Sequence, residues 1–70
     1  MEKRITLNVK KLREAAGKSQ LQLAAEVGVS QPAVANWERG VFLPRAEDLP
    51  AIAKALQCNI DDLYPEEVRP

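Results

Sequence analysis

Residues 28–30, Gly-Val-Ser, join two predicted helices and leave the chain few ways to fold. The segment before them opens with Ser19 and Gln22, a serine and a glutamine at the spacing of a capping box, and continues with an apolar stripe of helical period. Gly28 can end that helix in the left-handed conformation, and Ser30 can cap the next one. Because so few residues join the two helices, the chain must turn sharply. The pattern predicts a helix-turn-helix.

The helix that follows Ser30 has two different faces. Pro32 is compatible with its first turn, because the amide hydrogen that proline lacks has no acceptor within the helix there. At 100° per residue, the predicted core side carries Val34, Trp37 and Glu38, and the opposite side carries Pro32, Asn36 and Arg39.

Three further helices are predicted around this pair, so that the fold is all-α with five short helices. Each of them shows apolar residues at helical spacing. Pro50 conflicts with a regular start of the fourth helix, because it removes one backbone hydrogen bond unless the first turn is irregular. The predicted limits are Asn8 and Gly17 for the first helix, Ala46 for the start of the fourth, and Asn59 and Pro65 for the last.

These limits divide the 70 residues into one domain with two short extensions. Residues 8–64 are predicted to form the domain, residues 1–7 an N-terminal arm and residues 65–70 a frayed tail, which has little to bury. A chain of this size buries only about 60% of the surface that it exposes when unfolded. We therefore expect a small core to which every helix contributes.

The composition excludes several classes of site. The chain has no histidine and a single cysteine, Cys58, which argues against disulfides, cysteine–histidine metal sites and most general-base chemistry. We therefore expect no catalytic site, no metal or other cofactor and no small-molecule substrate. Because no apolar stretch approaches about 20 residues and the chain does not open with the apolar run of a signal peptide, we expect a cytoplasmic protein that does not enter a membrane.

Charge is uneven along the chain although its sum is zero. Residues 1–45 carry eight basic and four acidic side chains, and residues 46–70 carry two basic and six acidic ones. This asymmetry indicates one surface that attracts anions. Charge dispersed for solubility explains the same distribution, so charge alone does not choose between the two interpretations.

The stretch SQLQLAAEVGVSQPAVANWERG, residues 19–40, closely resembles the helix-turn-helix of the phage repressor and Cro-type family. It matches every fixed position of that family's pattern from Gln20 to Gly40. The resemblance continues at apolar positions as far as Leu63 and covers about residues 8–64. It implies a compact, lambda repressor-like DNA-binding domain of five helices, which acts as a homodimer on double-stranded DNA and regulates transcription, more often as a repressor.

The resemblance also implies roles for single residues. Gln31, Pro32 and Asn36 occupy the base-reading positions. Pro32 replaces a commoner polar residue and offers only apolar contact, for instance to a thymine methyl group, whereas the amides of Gln31 and Asn36 suit the edge of adenine. By position alone, ordinary solvent-facing surface groups are the favoured interpretation of both amides. The residues assigned to the DNA backbone are Lys10, Ser19, Gln20, Arg39 and Arg45.

Arg13 lies on the apolar stripe of the first helix, where a charge is unexpected. By the resemblance it pairs with Glu38 and joins the first helix to the third. Gln20 matches a position that binds either a phosphate or the first residue of the recognition helix. Both members of the Arg13–Glu38 pair are therefore predicted to be structural.

The segment after Gly40 departs from the family pattern. Residues 41–43, Val-Phe-Leu, replace basic or polar residues, and we expect them to pack on the domain's own core, with a dimer contact as the alternative. Cys58 is predicted to be a small core residue, and Gln57, in place of a glycine, is predicted to adopt a left-handed conformation.

A second class of function fits the same residues. An antitoxin-like module of this fold could bind another protein through Phe42, Leu43 and the acidic second half of the chain. A non-specific architectural role on DNA is a third possibility.

Overall fold

The computed structural model describes residues 6–68, and all the regular structure in that part of the chain is helical. The α-helices are α1 (Val9–Ala15), α2 (Gln20–Val27), α3 (Gln31–Arg39) and α4 (Leu49–Ala55). Short 3-10 helices lie at Ala46–Asp48, Ile60–Leu63 and Glu66–Val68. Within residues 6–68, none of the helices combines the length and the apolar character that a membrane span requires.

The all-α architecture is therefore confirmed, whereas the prediction of five α-helices is not. The last predicted helix is a 3-10 helix, Ile60–Leu63, since Pro65 leaves room for only one turn after Asn59. The backbone N–H of Asn59 donates to Oδ2 of Asp62 at 3.0 Å and closes that turn.

Local capping builds the central pair of helices as the sequence predicts. At the start of α2, Ser19 Oγ accepts from the Gln22 amide at 3.0 Å and Gln22 Oε1 accepts from the Ser19 amide at 2.8 Å, which completes the capping box. Gly28 ends α2 with φ 87°, and Ser30 Oγ accepts from the Ala33 amide at 3.3 Å to begin α3. Each of these contacts joins residues close in sequence, and together they fix the sharp turn between α2 and α3.

Asn8 stands at the predicted start of the first helix, where an asparagine side chain commonly caps the helix. Its side chain makes no capping bond to α1, because its backbone (φ −80°, ψ 29°) is not in the extended conformation that directs a side chain toward the helix amides. The Asn8 side-chain amide instead donates to the carbonyl of Tyr64 at 3.3 Å, and the backbone N–H of Asn8 donates to the carbonyl of Leu63 at 2.7 Å. Asn8 thus fastens the start of α1 to the C-terminal turn.

Pro50 is accommodated by a change of helix type. A 3-10 helix at Ala46–Asp48 precedes α4, so that the α-helix begins at Leu49 rather than at Ala46 and Pro50 lies in its first turn. The amide hydrogen that Pro50 lacks would have no intrahelical acceptor there.

One cluster of buried apolar side chains forms the core. Every α-helix contributes to it, and α2 packs against both α3 and α4. Leu7 is only 5% exposed, so the last residue of the predicted arm belongs to the core. Residues 1–5 of that arm and residues 69–70 of the predicted tail lie outside the described part of the chain. The buried residues are Leu7, Val9, Leu23, Ala24, Val34, Trp37, Ile52, Ala53, Leu56 and Leu63.

Lys18 holds the C-terminus of α4 against the start of α2. Its Nζ donates to the carbonyl of Ala55 at 2.7 Å and to Oε1 of Glu26 at 2.5 Å. A cation at this position donates a hydrogen bond to one of the carbonyls that a helix leaves unpaired at its C-terminus. It also interacts favourably with the negative end of the helix dipole. Lys18, one of the basic residues of the first half, therefore has a structural contact.

Gln57 follows α4 with φ 56°, the left-handed conformation that favours glycine. Because its side chain is exposed, Gln57→Gly should relieve the backbone strain and raise the free energy of unfolding by about 1 kcal/mol, which corresponds to a Tm increase of about 4–8 °C. Thermal unfolding followed by circular dichroism measures this change. Gln57→Ala, which keeps a Cβ, should give no comparable gain, and equal effects of the two substitutions would contradict the strain.

Candidate nucleic-acid interface

Helix α3 is held on one side and open on the other. Val34 is fully buried and Trp37 is 3% exposed, so these two side chains anchor the helix in the core. Pro32 is exposed on the other side, and Asn36 is half-buried. The short helix therefore presents polar and small groups outward while its apolar side is fixed.

The Arg13–Glu38 pair joins α1 to α3. Arg13 Nε lies 2.6 Å from Glu38 Oε2, and its Nη2 lies 3.1 Å from Oε1, so the guanidinium holds the carboxylate at two points. The two side chains are 11% and 4% exposed. Arg13 Nη1 also donates to the carbonyl of Lys18 at 2.7 Å, which ties the chain just before α2 to the same pair.

The surroundings of Glu38 favour its ionised form. Burial alone raises the pKa of this carboxyl, but hydrogen bonds from Arg13 and Gln20 and the positive charges of Arg13 and Lys10 outweigh burial, so that the pKa lies below its ordinary value. The hydrogen bond to Glu38 raises the pKa of Arg13 in turn. The carboxylate is therefore charged at neutral pH.

Gln20 connects this pair to the outer face of α3. Its Nε2 donates to Glu38 Oε1 at 2.9 Å, and its Oε1 accepts from Gln31 Nε2 at 2.7 Å. Of the two contacts that the resemblance implies for Gln20, the structure contains the one with the first residue of the recognition helix. A continuous series of hydrogen bonds thus runs from Arg13 to Gln31.

Asn36 has a partner on its own helix. Arg39 Nη2 donates to Asn36 Oδ1 at 2.5 Å, and this contact is exposed. In this arrangement Asn36 offers its N–H groups and not its carbonyl oxygen. To bind adenine with both ends of its amide, Asn36 would have to exchange Arg39 for the base, a replacement that water makes inexpensive at an exposed site.

The predicted backbone-contacting residues occupy different settings. Lys10 is exposed and close enough to Glu38 to lower its pKa. Ser19 Oγ already accepts from the first turn of α2. The Arg45 side chain is 82% exposed and lies 3.5 Å from Glu47, a loose surface pair. Lys10 thus lies beside the network described above, as does Ser19, which precedes Gln20, whereas Arg45 pairs with Glu47 at the surface.

The loop after α3 corrects one expectation. Val41, Phe42 and Leu43 are 51%, 48% and 49% exposed, so they do not pack fully on the domain's own core. An open groove separates this loop from the start of α3. It is lined by Gly28, Val29, Ser30, Ala33, Trp37, Phe42, Leu43, Arg45 and Asp48.

Cys58 is half-buried and packs against the core, in agreement with its prediction as a small core residue. Burial, followed by the negative charge of Asp62, raises the pKa of its thiol. A thiol held in this state is a poor nucleophile. Within residues 6–68, no group of three or more histidine, cysteine, aspartate or glutamate side chains is placed to hold a metal ion.

Loss of the buried pair should cost far more stability than loss of a surface pair. Arg13→Ala leaves the Glu38 carboxylate buried without its main partner, which typically costs about 3–5 kcal/mol. Arg45→Ala is the matched control, because its exposed pair with Glu47 contributes at most about 1 kcal/mol. Urea unfolding followed by the fluorescence of Trp37 measures both, and equal midpoints would contradict a structural role for Arg13.

The Arg13–Glu38 pair should also make the free energy of unfolding depend on pH. The folded-state pKa of Glu38 is lowered, so its contribution is complete above its unfolded pKa and is lost as the pH falls through the folded pKa. The free energy of unfolding should therefore decrease below about pH 4.5. A carbon-13 titration of the Glu38 carboxyl in the folded protein tests the cause directly, and a midpoint at or above the ordinary glutamate value would contradict it.

Comparison with known proteins agrees with this geometry. The family model described as helix-turn-helix matches residues 9–63. The cryptic phage CTXphi transcriptional repressor RstR of Vibrio cholerae is 43% identical over 51 residues, which are 73% of this chain and 46% of the relative. Repressor protein C2 of Salmonella phage P22 is 43% identical over 63 residues, which are 90% of this chain and 27% of the relative. The chain thus spans less than half the length of these two relatives.

The fold is also similar to that of a solved structure. The crystal structure of the P22 c2 repressor in complex with the synthetic operator 9T superposes with a TM-score of 0.77 at 38% identity, covering 81% of this chain and 86% of the other. Both the sequence match and the fold match extend beyond α2 and α3 to almost the whole described chain. The chain belongs to the phage repressor-like helix-turn-helix family.

Proposed function

We propose that this chain is a sequence-specific, double-stranded-DNA-binding domain that regulates transcription as a repressor by placing α3 in the major groove. The observation that carries the proposal is the two-sided character of α3. Val34 and Trp37 are buried, whereas the face with Pro32, Asn36 and Arg39 is accessible. A helix fixed in this way can enter a groove about 12 Å wide without losing its position in the domain.

Gln31, Pro32 and Asn36 are the residues that we assign to the bases. The two amides can bond to base edges, and the exposed ring of Pro32 supplies an apolar contact of the kind that a thymine methyl group accepts. All three lie in the N-terminal two-thirds of α3, the part of a recognition helix that contacts base edges.

We assign the contacts with the DNA backbone to side chains around α3 that carry a positive charge or offer hydrogen-bond donors. Lys10, Arg39 and Arg45 have exposed side chains that can approach phosphates. Ser19 and Gln20 lie at the N-terminus of α2, where helix amides and the helix dipole favour an anion. Such contacts position the helix in the groove but do not select a sequence.

The neutral charge of the chain favours a homodimer on DNA. With ten basic and ten acidic side chains, one copy gains little from general attraction to phosphates. Two copies bound to half-sites about one helical turn apart would multiply the specific contacts. The operator should then be an inverted repeat.

Selection of bound sequences from random duplex DNA tests the proposal as a whole. A consensus with two symmetric half-sites, whose binding weakens as salt increases, is the expected result. Retention of all duplexes without a consensus would indicate the architectural alternative. A reporter placed behind the selected operator then separates repression from activation.

Asn36→Ala should weaken binding to the selected operator by about 1–3 kcal/mol and binding to random DNA very little, because it removes a base contact and no positive charge. Titrations with both duplexes measure the difference. Gln57→Ala, which removes an exposed amide beyond α4, is the control and should bind both duplexes normally. Equal losses on operator and random DNA would refute the base-reading role of Asn36.

The exposed loop at residues 41–43 is consistent with one alternative function. Phe42 and Leu43 are about half exposed beside the groove described above, and an antitoxin-like module could use them to bind another protein. That function predicts a stoichiometric partner and no salt-dependent retention on DNA. Phe42→Ser would then abolish partner binding, whereas on our proposal it leaves sequence selection unchanged.

A further inference from the structure

Arg39 and Asn36 form a hydrogen-bonded pair on the accessible face of α3. Arg39 Nη2 donates to Asn36 Oδ1. A guanidinium has only donors, so the group that faces it must be the carbonyl end of the Asn36 amide. In the described part of the chain the NH₂ end of that amide has no hydrogen-bond acceptor, so its two N–H groups remain for another molecule.

The position of Arg39 on the helix favours this contact. Arg39 is the last residue of α3, and long side chains in a helix point back toward its N-terminus. Residues three apart are neighbours on a helix surface, so Arg39 is directed at Asn36. No carboxylate in the described part of the chain forms an ion pair with Arg39 and draws it away from Asn36.

A pair bound in this way offers donors to a base edge, instead of one donor and one acceptor. In the major groove guanine presents two acceptors, N7 and O6, whereas adenine presents an acceptor at N7 and a donor at N6. The NH₂ group of Asn36 can donate to both guanine acceptors while its Oδ1 stays on Arg39. At adenine, the N6–H group has either to approach an oxygen that lies beside a positive charge or to displace Arg39 from that oxygen.

We infer that Arg39 is a positioning residue that sets a preference for guanine over adenine at the base pair contacted by Asn36. This inference rests on the proposed function, and it replaces the adenine expected for Asn36 from the sequence. The other N–H groups of Arg39 stay available for a phosphate, so the assigned backbone contact is compatible with this second role. Arg39 thus selects a base through Asn36 without touching the base.

The first test needs no DNA. In the wild-type domain the side-chain amide of Asn36 should have a higher heteronuclear nuclear Overhauser effect in nitrogen-15 spectra than the exposed amide of Gln57. Arg39→Met keeps an unbranched side chain but cannot donate, so it should lower the Asn36 value toward that of Gln57. An Asn36 amide as mobile as Gln57 in the wild type, or unchanged in Arg39→Met, would overturn the inference.

The second test measures base preference in the selected operator. The base pair in question is the one at which Asn36→Ala abolishes selectivity. For the wild type, exchange of G·C for A·T there should weaken binding at least about fivefold, the lower limit for one two-point contact. In Arg39→Met the amide oxygen is released and can accept from adenine N6, so the preference should change to adenine.

Arg45→Ala is the matched control, because it removes a positive charge from an exposed side chain that does not contact Asn36. It should weaken binding to the guanine and adenine duplexes by the same factor and leave their ratio unchanged. A guanine preference that persists in Arg39→Met, or a ratio that Arg45→Ala changes as much as Arg39→Met does, would contradict the positioning role.

The outcomes separate this inference from the proposed function. Failure of the wild type to bind any duplex overturns both. An operator in which no base pair responds to Asn36→Ala overturns the inference together with the base-reading role of Asn36. A wild type that binds its operator but prefers any base other than guanine at the position of Asn36 overturns the inference alone.

Discussion

The position of α3 depends on a guanidinium and a carboxylate that are almost completely removed from water. Arg13 and Glu38 each cost several kcal/mol to bury alone, and their mutual hydrogen bonds, together with those to Lys18 and Gln20, offset that cost when α1 and α3 approach in this arrangement. Trp37, next to Glu38 in sequence, fills the core from the same helix. The charged pair and the apolar anchor thus hold α3 at two adjacent residues, Glu38 and Trp37. Together they fix the orientation of the outer face of α3. The Glu38 carboxylate also receives Gln20, which extends the effect of the buried pair to the surface.

The sequence predicted best the parts of the fold that local interactions determine. The capping box at Ser19 and the cap at Ser30 bond to amides three residues away, so a short window contains all the information needed to place α2, the turn and α3. Asn8 shows the limit of such rules. Its side chain donates to a carbonyl 56 positions away, and a local sequence pattern cannot reveal a partner so distant along the chain. The 3-10 helix at Ile60–Leu63 was mistaken for an α-helix because one turn of either type has the same apolar spacing.

The candidate site was predictable as a set of residues but not as a network. A wheel of 100° per residue separated the buried side of α3 from the accessible side, which requires only the helix itself. The contacts from Gln20 to Gln31 and from Arg13 to Glu38 join positions 11 and 25 apart, and only the family resemblance indicated them. For the apolar segment 41–43 the sequence led to a wrong prediction. Apolar composition suggested burial, yet the core is already filled by side chains such as Leu23, Ile52 and Leu63, which are completely buried without that loop.

Whether the outer face of α3 reads a duplex is tested most directly by titrating the nitrogen-15-labelled domain with its selected operator and following backbone and side-chain amides. We expect the largest shifts at Gln31 and Asn36, smaller ones at the N-terminus of α2, and none in α4, which packs against α2. The Trp37 indole should move little, because the helix is already seated in the core. Shifts confined to residues 41–43 and the acidic C-terminal half, with Gln31 and Asn36 unchanged, would contradict recognition of DNA by α3.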